Sequence, residues 1–185
     1  MEPDAALAVR AAAGDREAFG ALVERHQAAV RRLTRAVTGD AHDADDAAQD
    51  AFLSALDRID TYDASRPFGP WLMRIAANAS IDLVRRRAVR RADALDERAP
   101  SRGRSPASDA EAAEIRAKLN AALAQLPERQ RVAVTLFDVE GYSHAEIAAV
   151  LAVPEGTVRS DVFHARRTLR VALEAFGPGK QMEER

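Results

Sequence analysis

Apolar residues recur along most of this chain at the three- and four-residue spacing of an amphipathic α-helix, whereas the alternating pattern of a strand is almost absent. One helical segment can be capped by Asp15 and ends near Gly39, and a second extends from about Asp43 to Ile59. A loop containing proline and glycine follows, and Pro70 begins a third segment. These patterns predict an all-α fold.

The helical pattern disappears between residues 93 and 112, where small and polar residues follow one another without an apolar stripe. Such a composition is typical of a flexible linker. We therefore expect two small helical domains, covering residues 1–92 and 113–176, with residues 177–185 as a tail. Only 5% of the residues are aromatic and many are alanine, so the domain cores should consist of close helix-on-helix contacts.

The second domain contains the signals of a helix-turn-helix. Ser143 and Glu146 have the spacing of a capping box, in which each side chain pairs with a backbone N–H at the start of a helix. Pro154 suits the first turn of the next helix, which apolar residues at helical spacing would hold on the core. Six side chains would then point outward, as in a helix presented to the major groove of DNA: Thr157, Arg159, Ser160, Phe163, His164 and Arg167. A plain pair of helices is the alternative.

The charges of the chain are segregated along the sequence. The 27 basic and 29 acidic residues leave a net charge of −2, which is unusual for a protein that binds nucleic acid by itself. Residues 40–63 contain eight aspartates and one arginine, whereas residues 85–104 contain eight arginines and three acidic residues. This separation predicts two partners of opposite charge.

Asp43, Asp46 and Asp50 fall on one side of the second predicted helix. No lysine or arginine four residues further on relieves the repulsion at Asp46 or Asp50, and Leu53 lies beside them as an exposed apolar residue. The pattern fits either a solvated helix surface or a docking face for a basic partner. The docking interpretation also explains Leu53.

The third predicted helix combines aromatic, amide and basic groups. Trp71, Arg74 and Asn78 follow its start, and the run Arg85–Arg87 comes near its end. Aromatic and amide groups around the preceding loop could hold unstacked bases, and the arginines could line a phosphate path. The alternatives are that Trp71 is a core residue and that the arginines are a solvated helix end.

Several kinds of site are excluded or not expected. The chain contains no cysteine, which excludes disulfides and thiolate zinc sites. Its four histidines lack metal-ligand spacing and no nucleotide-binding or nucleophile motif is present, so we expect no metal, no cofactor and no enzymatic activity. The N-terminus lacks a basic start and an apolar segment, and no run approaches the length of a membrane span, so we expect a soluble cytoplasmic protein without membrane insertion.

Taken in order, these motifs resemble those of the group IV, or extracytoplasmic function, sigma factors of bacterial RNA polymerase, within the sigma-70 family. The similarity extends from about Asp15 to Phe176. In the first half it rests on residues 39–53 and 68–78, with the arginine run that follows them. In the second half it rests on residues 126–131 and 156–160.

The resemblance implies that residues 1–92 are sigma region 2 and that residues 113–176 are sigma region 4. Region 2 would dock on the β′ clamp helices of the polymerase core through Asp43, Asp46, Gln49, Asp50 and Leu53. It would hold and melt the −10 element through Phe68, Trp71, Arg74, Asn78, Arg85, Arg86 and Arg87. Region 4 would recognise the −35 element with the six outward residues of its second helix. The β flap of the polymerase and an anti-sigma protein are further implied partners.

Two positions depart from the pattern of this family. Asp161 and His164 stand where its members often carry arginine or lysine. Asp161 could accept a hydrogen bond from a cytosine amine, or it could pair internally with Arg159 or Arg166. A helix-turn-helix regulator of the LuxR type and a polymerase-binding adaptor are alternative functions, although the regulator leaves the first half of the chain unexplained.

Overall fold

The computed structural model describes residues 2–93 and 110–174, which form helices joined by short turns, with no strand in either range. The eight helices of these ranges are α1 (Asp4–Ala12), α2 (Arg16–Thr38), α3 (Ala41–Asp57), α4 (Phe68–Asp93), α5 (Ala110–Ala124), α6 (Glu128–Asp138), α7 (His144–Leu151) and α8 (Glu155–Glu174). A 3₁₀ turn, Ile59–Thr61, follows α3. The predicted all-α fold is confirmed. None of these described helices has the length and apolar character needed to cross a membrane.

Some boundaries differ from the prediction. Helix α1 precedes the first helix that the pattern indicated, and α4 begins at Phe68 rather than at Pro70. Pro70 therefore lies inside the first turn of α4, where a backbone N–H has no intrahelical partner and its absence does no harm. The ends of the predicted linker are helical, since Asp93 ends α4 and residues 110–112 begin α5. The rest of that linker, residues 94–109, and the predicted tail, residues 177–185, lie outside the described residues.

Polar caps set the starts of α2 and α3. The carboxylate of Asp15 accepts N–H bonds from Glu17 and Ala18 at 3.0 and 3.1 Å, as the sequence predicted for a capping residue. Gly39 ends α2 in the left-handed region, with φ of 74°, and Asp40 caps α3 immediately afterwards. The two helices are thus joined by only two residues, so they lie side by side.

Helices α1–α4 form the first unit, and the packed face of α3 is made of alanine: Ala44, Ala47, Ala48, Ala51 and Ala55. Small side chains let helix backbones approach closely, and α3 contacts both α2 and α4 along this face. Larger residues fill the remaining space, among them Leu22, Leu33 and Leu72, which are at most 1% exposed. This packing fixes the opposite face of α3 toward solvent.

Helices α5–α8 form the second unit, and it packs directly on the first. Helix α7 lies against α4 and α6 lies against α2, so that buried residues of both units join one apolar cluster. Arg32 of α2 donates to both carboxylate oxygens of Glu140 at 2.6 and 2.9 Å, and Arg131 of α6 donates to the carbonyl of Val37. Two helical units are therefore present, as the fold-class prediction expected, and they share a core.

Candidate functional site

The exposed face of α3 carries four of the five residues predicted to dock on the polymerase. Gln49 and Asp50 are exposed, the side chain of Asp46 is 52% exposed, and Leu53 is 53% exposed. Because the alanine face holds α3 from the other side, these four residues stand together in solvent. We refer to Asp46, Gln49, Asp50 and Leu53 as the acidic face.

Asp43 does not belong to the acidic face, and the expectation that it would be exposed is wrong. It is 5% exposed, and its carboxylate forms an ion pair with Arg87 of α4. Burial is the main influence on this carboxyl group and raises its pKa, although the Arg87 charge acts in the opposite direction. Asp43 and Arg87 therefore link two helices, which the spacing of residues on α3 alone does not reveal.

Phe68 is also buried, at 3% exposed, contrary to its predicted role in holding a base. Its ring packs against those of His26, Tyr62 and Trp71, with centroids 5.3–5.4 Å apart. The beginning of α4 is thus held by an aromatic cluster, and Trp71 is the member of the predicted −10 set that stays half-buried at its edge.

The basic side of α4 is open. Arg74, Asn78, Arg85 and Arg86 are all exposed. The first three are four and seven residues apart, a spacing that places them on one face of a helix. The structure therefore places Arg74, Asn78 and Arg85 on one exposed face of α4, while Arg86 is exposed beside that face and Arg87 contacts Asp43.

A cleft of about 490 Å³ separates the loop before α4 from the turn between α6 and α7. Tyr62, Gly69, Glu140 and Tyr142 are among its lining residues. A Cβ atom at Gly69 would lie 2.7 Å from the hydroxyl of Tyr142, so glycine allows the close approach of the two units here. Burial raises the pKa of Tyr142 to about 12, which keeps the hydroxyl protonated.

The predicted helix-turn-helix is present as α7 and α8. The N–H of Ser143 donates to Glu146 at 2.8 Å, and the N–H of Glu146 donates to the Ser143 hydroxyl at 3.3 Å, which completes the capping box. Gly141 precedes it in the left-handed region, with φ of 73°. The turn after α7 uses a left-handed Ala152, with φ of 53°, a conformation that the sequence did not signal.

Helix α8 presents its predicted residues outward. Arg159, Ser160, Phe163, His164 and Arg167 are exposed, and Thr157 is half-buried. Phe163 is 64% exposed, which is unusual for a large aromatic residue that does not contact a binding partner. Arg159 donates to Glu155 at 2.6 Å, one turn earlier in the same helix. This arrangement is that of a recognition helix.

Asp161 lies at the edge of the buried side of α8, and neither of its predicted internal partners is the real one. It is 4% exposed, and Arg129 of α6 donates to its two oxygens from Nε at 2.6 Å and from Nη2 at 3.2 Å. Arg159 pairs with Glu155, and Arg166 pairs with Asp138. The sequence pattern could not identify Arg129 as the partner of Asp161, because Arg129 precedes it by 32 residues and only the packing of α6 on α8 brings them together.

Comparison with known proteins agrees with this geometry. Residues 22–90 match the family model of sigma-70 region 2, and residues 116–169 match that of sigma-70 region 4. The ECF RNA polymerase sigma factor SigM of Mycobacterium tuberculosis is 39% identical over 176 residues, which cover 95% of this chain and 87% of SigM.

Two further relatives support the assignment. The ECF RNA polymerase sigma factor SigE of Mycolicibacterium smegmatis is 39% identical over 169 residues, and the match covers 88% of this chain but 65% of SigE. The solved structure of CnrH in complex with the cytosolic domain of CnrY superimposes with a TM-score of 0.74 at 31% identity, covering 94% of this chain and 99% of CnrH. The chain therefore belongs to the extracytoplasmic function (ECF) sigma factors of the sigma-70 family, the subunits that direct RNA polymerase to promoters.

Proposed function

We propose that region 2, residues 1–92, docks on core polymerase and opens the −10 element, while region 4, residues 113–176, reads the −35 element across the segment between α4 and α5. The observation that carries the proposal is the division of α8 into a buried stripe and an outward set of polar, aromatic and basic side chains. A helix of this kind fits the major groove, where its side chains reach base edges and phosphates.

The acidic face of α3 is the proposed docking surface for the core. It combines the carboxylates of Asp46 and Asp50 with the exposed side chain of Leu53. Such a face fits a basic helical partner with an apolar strip, which is the character we assign to the β′ clamp helices. Asp43 would contribute indirectly, because its contact with Arg87 holds α3 against α4. Region 4 would meet the β flap.

The open side of α4 is the proposed path of the non-template strand at the −10 element. Arg74, Arg85 and Arg86 supply positive charge along the helix, and Asn78 lies between them. Trp71 sits at the edge of the aromatic cluster, where an extruded base could stack on it. Phe68 would support Trp71 from inside rather than contact DNA.

The net charge of −2 is consistent with a factor that does not bind DNA strongly by itself. Phosphate contacts dominate the affinity of most DNA-binding proteins, so we expect the core enzyme to supply much of the affinity. The role proposed for this chain is binding and selection in the cytoplasm, where polymerase and promoter meet, and no residue is assigned to catalysis. By analogy with CnrH, which was solved bound to the cytosolic domain of CnrY, we propose an anti-sigma protein as a regulatory partner.

Reconstituted transcription tests the proposal. Core polymerase and this chain, mixed on a library of promoters from the source bacterium, should initiate at defined sites, and neither component should do so alone. Asp50→Arg should weaken binding to the core by about tenfold, because it places a positive charge before a basic partner. Glu24→Arg, an equal charge change at an exposed position of α2, is the matched control.

Several outcomes would contradict the proposal. Tight, sequence-specific binding of promoter duplex by the isolated chain would favour a LuxR-type regulator instead. Binding to the core without any initiation would favour an adaptor. An Asp50→Arg variant with a native circular dichroism spectrum and unchanged core affinity would contradict the docking surface.

A further inference from the structure

Asp161 occupies an unexpected place for a carboxylate, because it lies on the recognition helix and is 4% exposed. Its neighbour Ser160 is exposed and its neighbour Val162 is buried, so Asp161 lies at the margin between the reading face and the packed stripe. Both of its oxygens accept hydrogen bonds from Arg129. A direct contact with a DNA base would require Asp161 to leave this partner.

The pair with Arg129 has the geometry of a planar fork. A guanidinium that donates from Nε and Nη2 to the two oxygens of one carboxylate fixes the relative orientation of both groups, not only their separation. Arg129 lies in the first turn of α6 and half of its side chain is exposed, whereas the side chain of Asp161 is 6% exposed. The fork therefore ties the margin of α8 to the start of α6.

A second fork joins the same two helices, but here the arginine lies on α8 and the aspartate on α6. Arg166 of α8 donates to both oxygens of Asp138, which ends α6. The Arg166 guanidinium also lies 5.0 Å above the ring of Phe137. The donor is thus on α6 in one fork and on α8 in the other, and the forks engage the two ends of α6.

The two forks flank the buried stripe of α8. At about 100° per residue, Asp161 and Arg166 are about 140° apart around the helix axis. Between them on that arc lie the buried residues Val158, Val162 and Ala165. The remaining arc holds the proposed −35 residues Thr157, Arg159, Ser160, Phe163, His164 and Arg167. An apolar stripe alone permits small rotations of a helix, whereas a fork at each margin opposes rotation in either direction.

We propose that Arg129 and Asp161 are positioning residues that set the rotation of α8 and thereby the selectivity of this factor for its −35 element. The inference rests on the proposed function of region 4. Hydrogen bonds to base edges need side chains placed to within a fraction of an ångström, so a small roll of α8 changes which bases its residues fit. Position 161 then acts through helix placement and not as a DNA contact.

A −35 selection experiment with the full chain and core polymerase tests this inference. Initiation is measured on promoters with one −10 element and a randomised −35 element, for the unmodified chain, Asp161→Asn, Arg129→Gln and the charge exchange R129D/D161R. We expect each single variant to discriminate about tenfold less than the unmodified chain between the preferred −35 sequence and single-mismatch sequences. A decrease of this size corresponds to the loss of one base contact. The charge exchange should restore the discrimination.

The controls separate positioning from other effects. Arg159→Ala removes a proposed DNA-contacting side chain and should change preference at its own base pair only, whereas the fork variants should relax several adjacent positions together. Core affinity should be unchanged in all variants.

The inference would be overturned if Asp161→Asn kept the −35 preference of the unmodified chain. It would also be overturned if the variants lost initiation activity equally on every −35 sequence, in step with their loss of thermal stability. If circular dichroism shows that the charge-exchange variant does not fold, the result for the isosteric Asp161→Asn variant alone decides whether the inference holds. If the unmodified chain initiates without any −35 preference, the proposed function of region 4 fails, and the inference fails with it.

Discussion

At the scale of single residues, two buried carboxylates each meet an arginine from a neighbouring helix. Asp43 pairs with Arg87 between α3 and α4, and Asp161 pairs with Arg129 between α8 and α6. A buried charge without a partner is strongly unfavourable, and a guanidinium can satisfy both oxygens of a carboxylate. These pairs therefore tie neighbouring helices together in addition to their apolar packing.

We predict that Arg87→Ala lowers the free energy of unfolding by about 1–3 kcal/mol, because it leaves the Asp43 carboxylate buried without its partner. The pKa of Asp43 is raised in the folded state, so this group favours folding at acidic pH and the benefit is lost as the pH rises through the folded pKa. The difference in the free energy of unfolding between Arg87→Ala and the unmodified chain should accordingly become smaller as the pH falls and Asp43 becomes protonated.

Urea unfolding of the variant and the unmodified chain between pH 7 and pH 4 measures this difference. Arg86→Ala, at the exposed neighbouring position, is the control and should change stability little. A deficit for Arg87→Ala that stays constant over this pH range would show that Asp43 is not the group responsible.

At the scale of elements, α7 shows how a short helix is stabilised. It has only eight residues, fewer than an isolated helix needs in water. The Ser143–Glu146 capping box pairs its first N–H groups, and Ile147 and Val150 anchor it on the shared core. Helix α7 also positions the turn that leads into α8, so its stability affects the recognition helix directly.

We predict that Ser143→Ala destabilises region 4 by about 1 kcal/mol through loss of the cap. The hydrogen bond from Ser143 is the main cause of the lowered pKa of Glu146. A lowered pKa contributes stability that is present above the ordinary glutamate value and is lost as the pH falls through the folded value. Ser143→Ala should therefore lose part of the acid dependence of unfolding as well.

Denaturant unfolding at pH 7 and pH 4 checks both effects. Glu146→Gln is the matched control, since glutamine can still close a capping box but does not titrate. Equal acid dependence in the unmodified chain and in Glu146→Gln would rule out the contribution assigned to Glu146.

At the scale of the whole molecule, regions 2 and 4 pack together along α4 and α7 and along α2 and α6. The Arg32–Glu140 pair crosses this boundary, and the Glu140 side chain is 6% exposed. Tyr142 approaches Gly69 in the first turn of α4, next to the proposed path of the −10 strand. The arrangement of the two units thus depends on a small set of contacts that can be changed individually.

We predict that Arg32→Glu weakens the packing of the two regions by about 1–3 kcal/mol, because it removes the partner of Glu140 and adds a like charge beside it. Small-angle scattering of the full chain should show a larger radius of gyration, and the charge exchange R32E/E140R should reverse the change. Arg31→Glu, which alters an exposed neighbour on α2, is the control. Identical scattering from Arg32→Glu and the unmodified chain would contradict this role of the pair.

Local signals were sufficient for most of the fold. The caps at Asp15 and Ser143 and the apolar stripes act within a few residues, and the structure confirms them together with the outward placement of Arg159 and Ser160. The exposure of the acidic face was predictable for the same reason, whereas Asp43, which was predicted to accompany it, is buried. A helical repeat specifies which residues share a side, and that information lies entirely in the spacing along the chain.

Tertiary packing decided the burial and the partners of several residues, which the spacing along the chain could not predict. Asp43 and Asp161 are buried against helices remote in sequence, and Phe68 packs on His26 of α2 as well as on its neighbours Tyr62 and Trp71. Their partners depend on which helix lies opposite and at what angle, quantities that no local pattern contains. The sequence by itself therefore determined most of the helices, the helix-turn-helix and the family, while only the tertiary structure decided which charged residues are exposed and which hold helices in place.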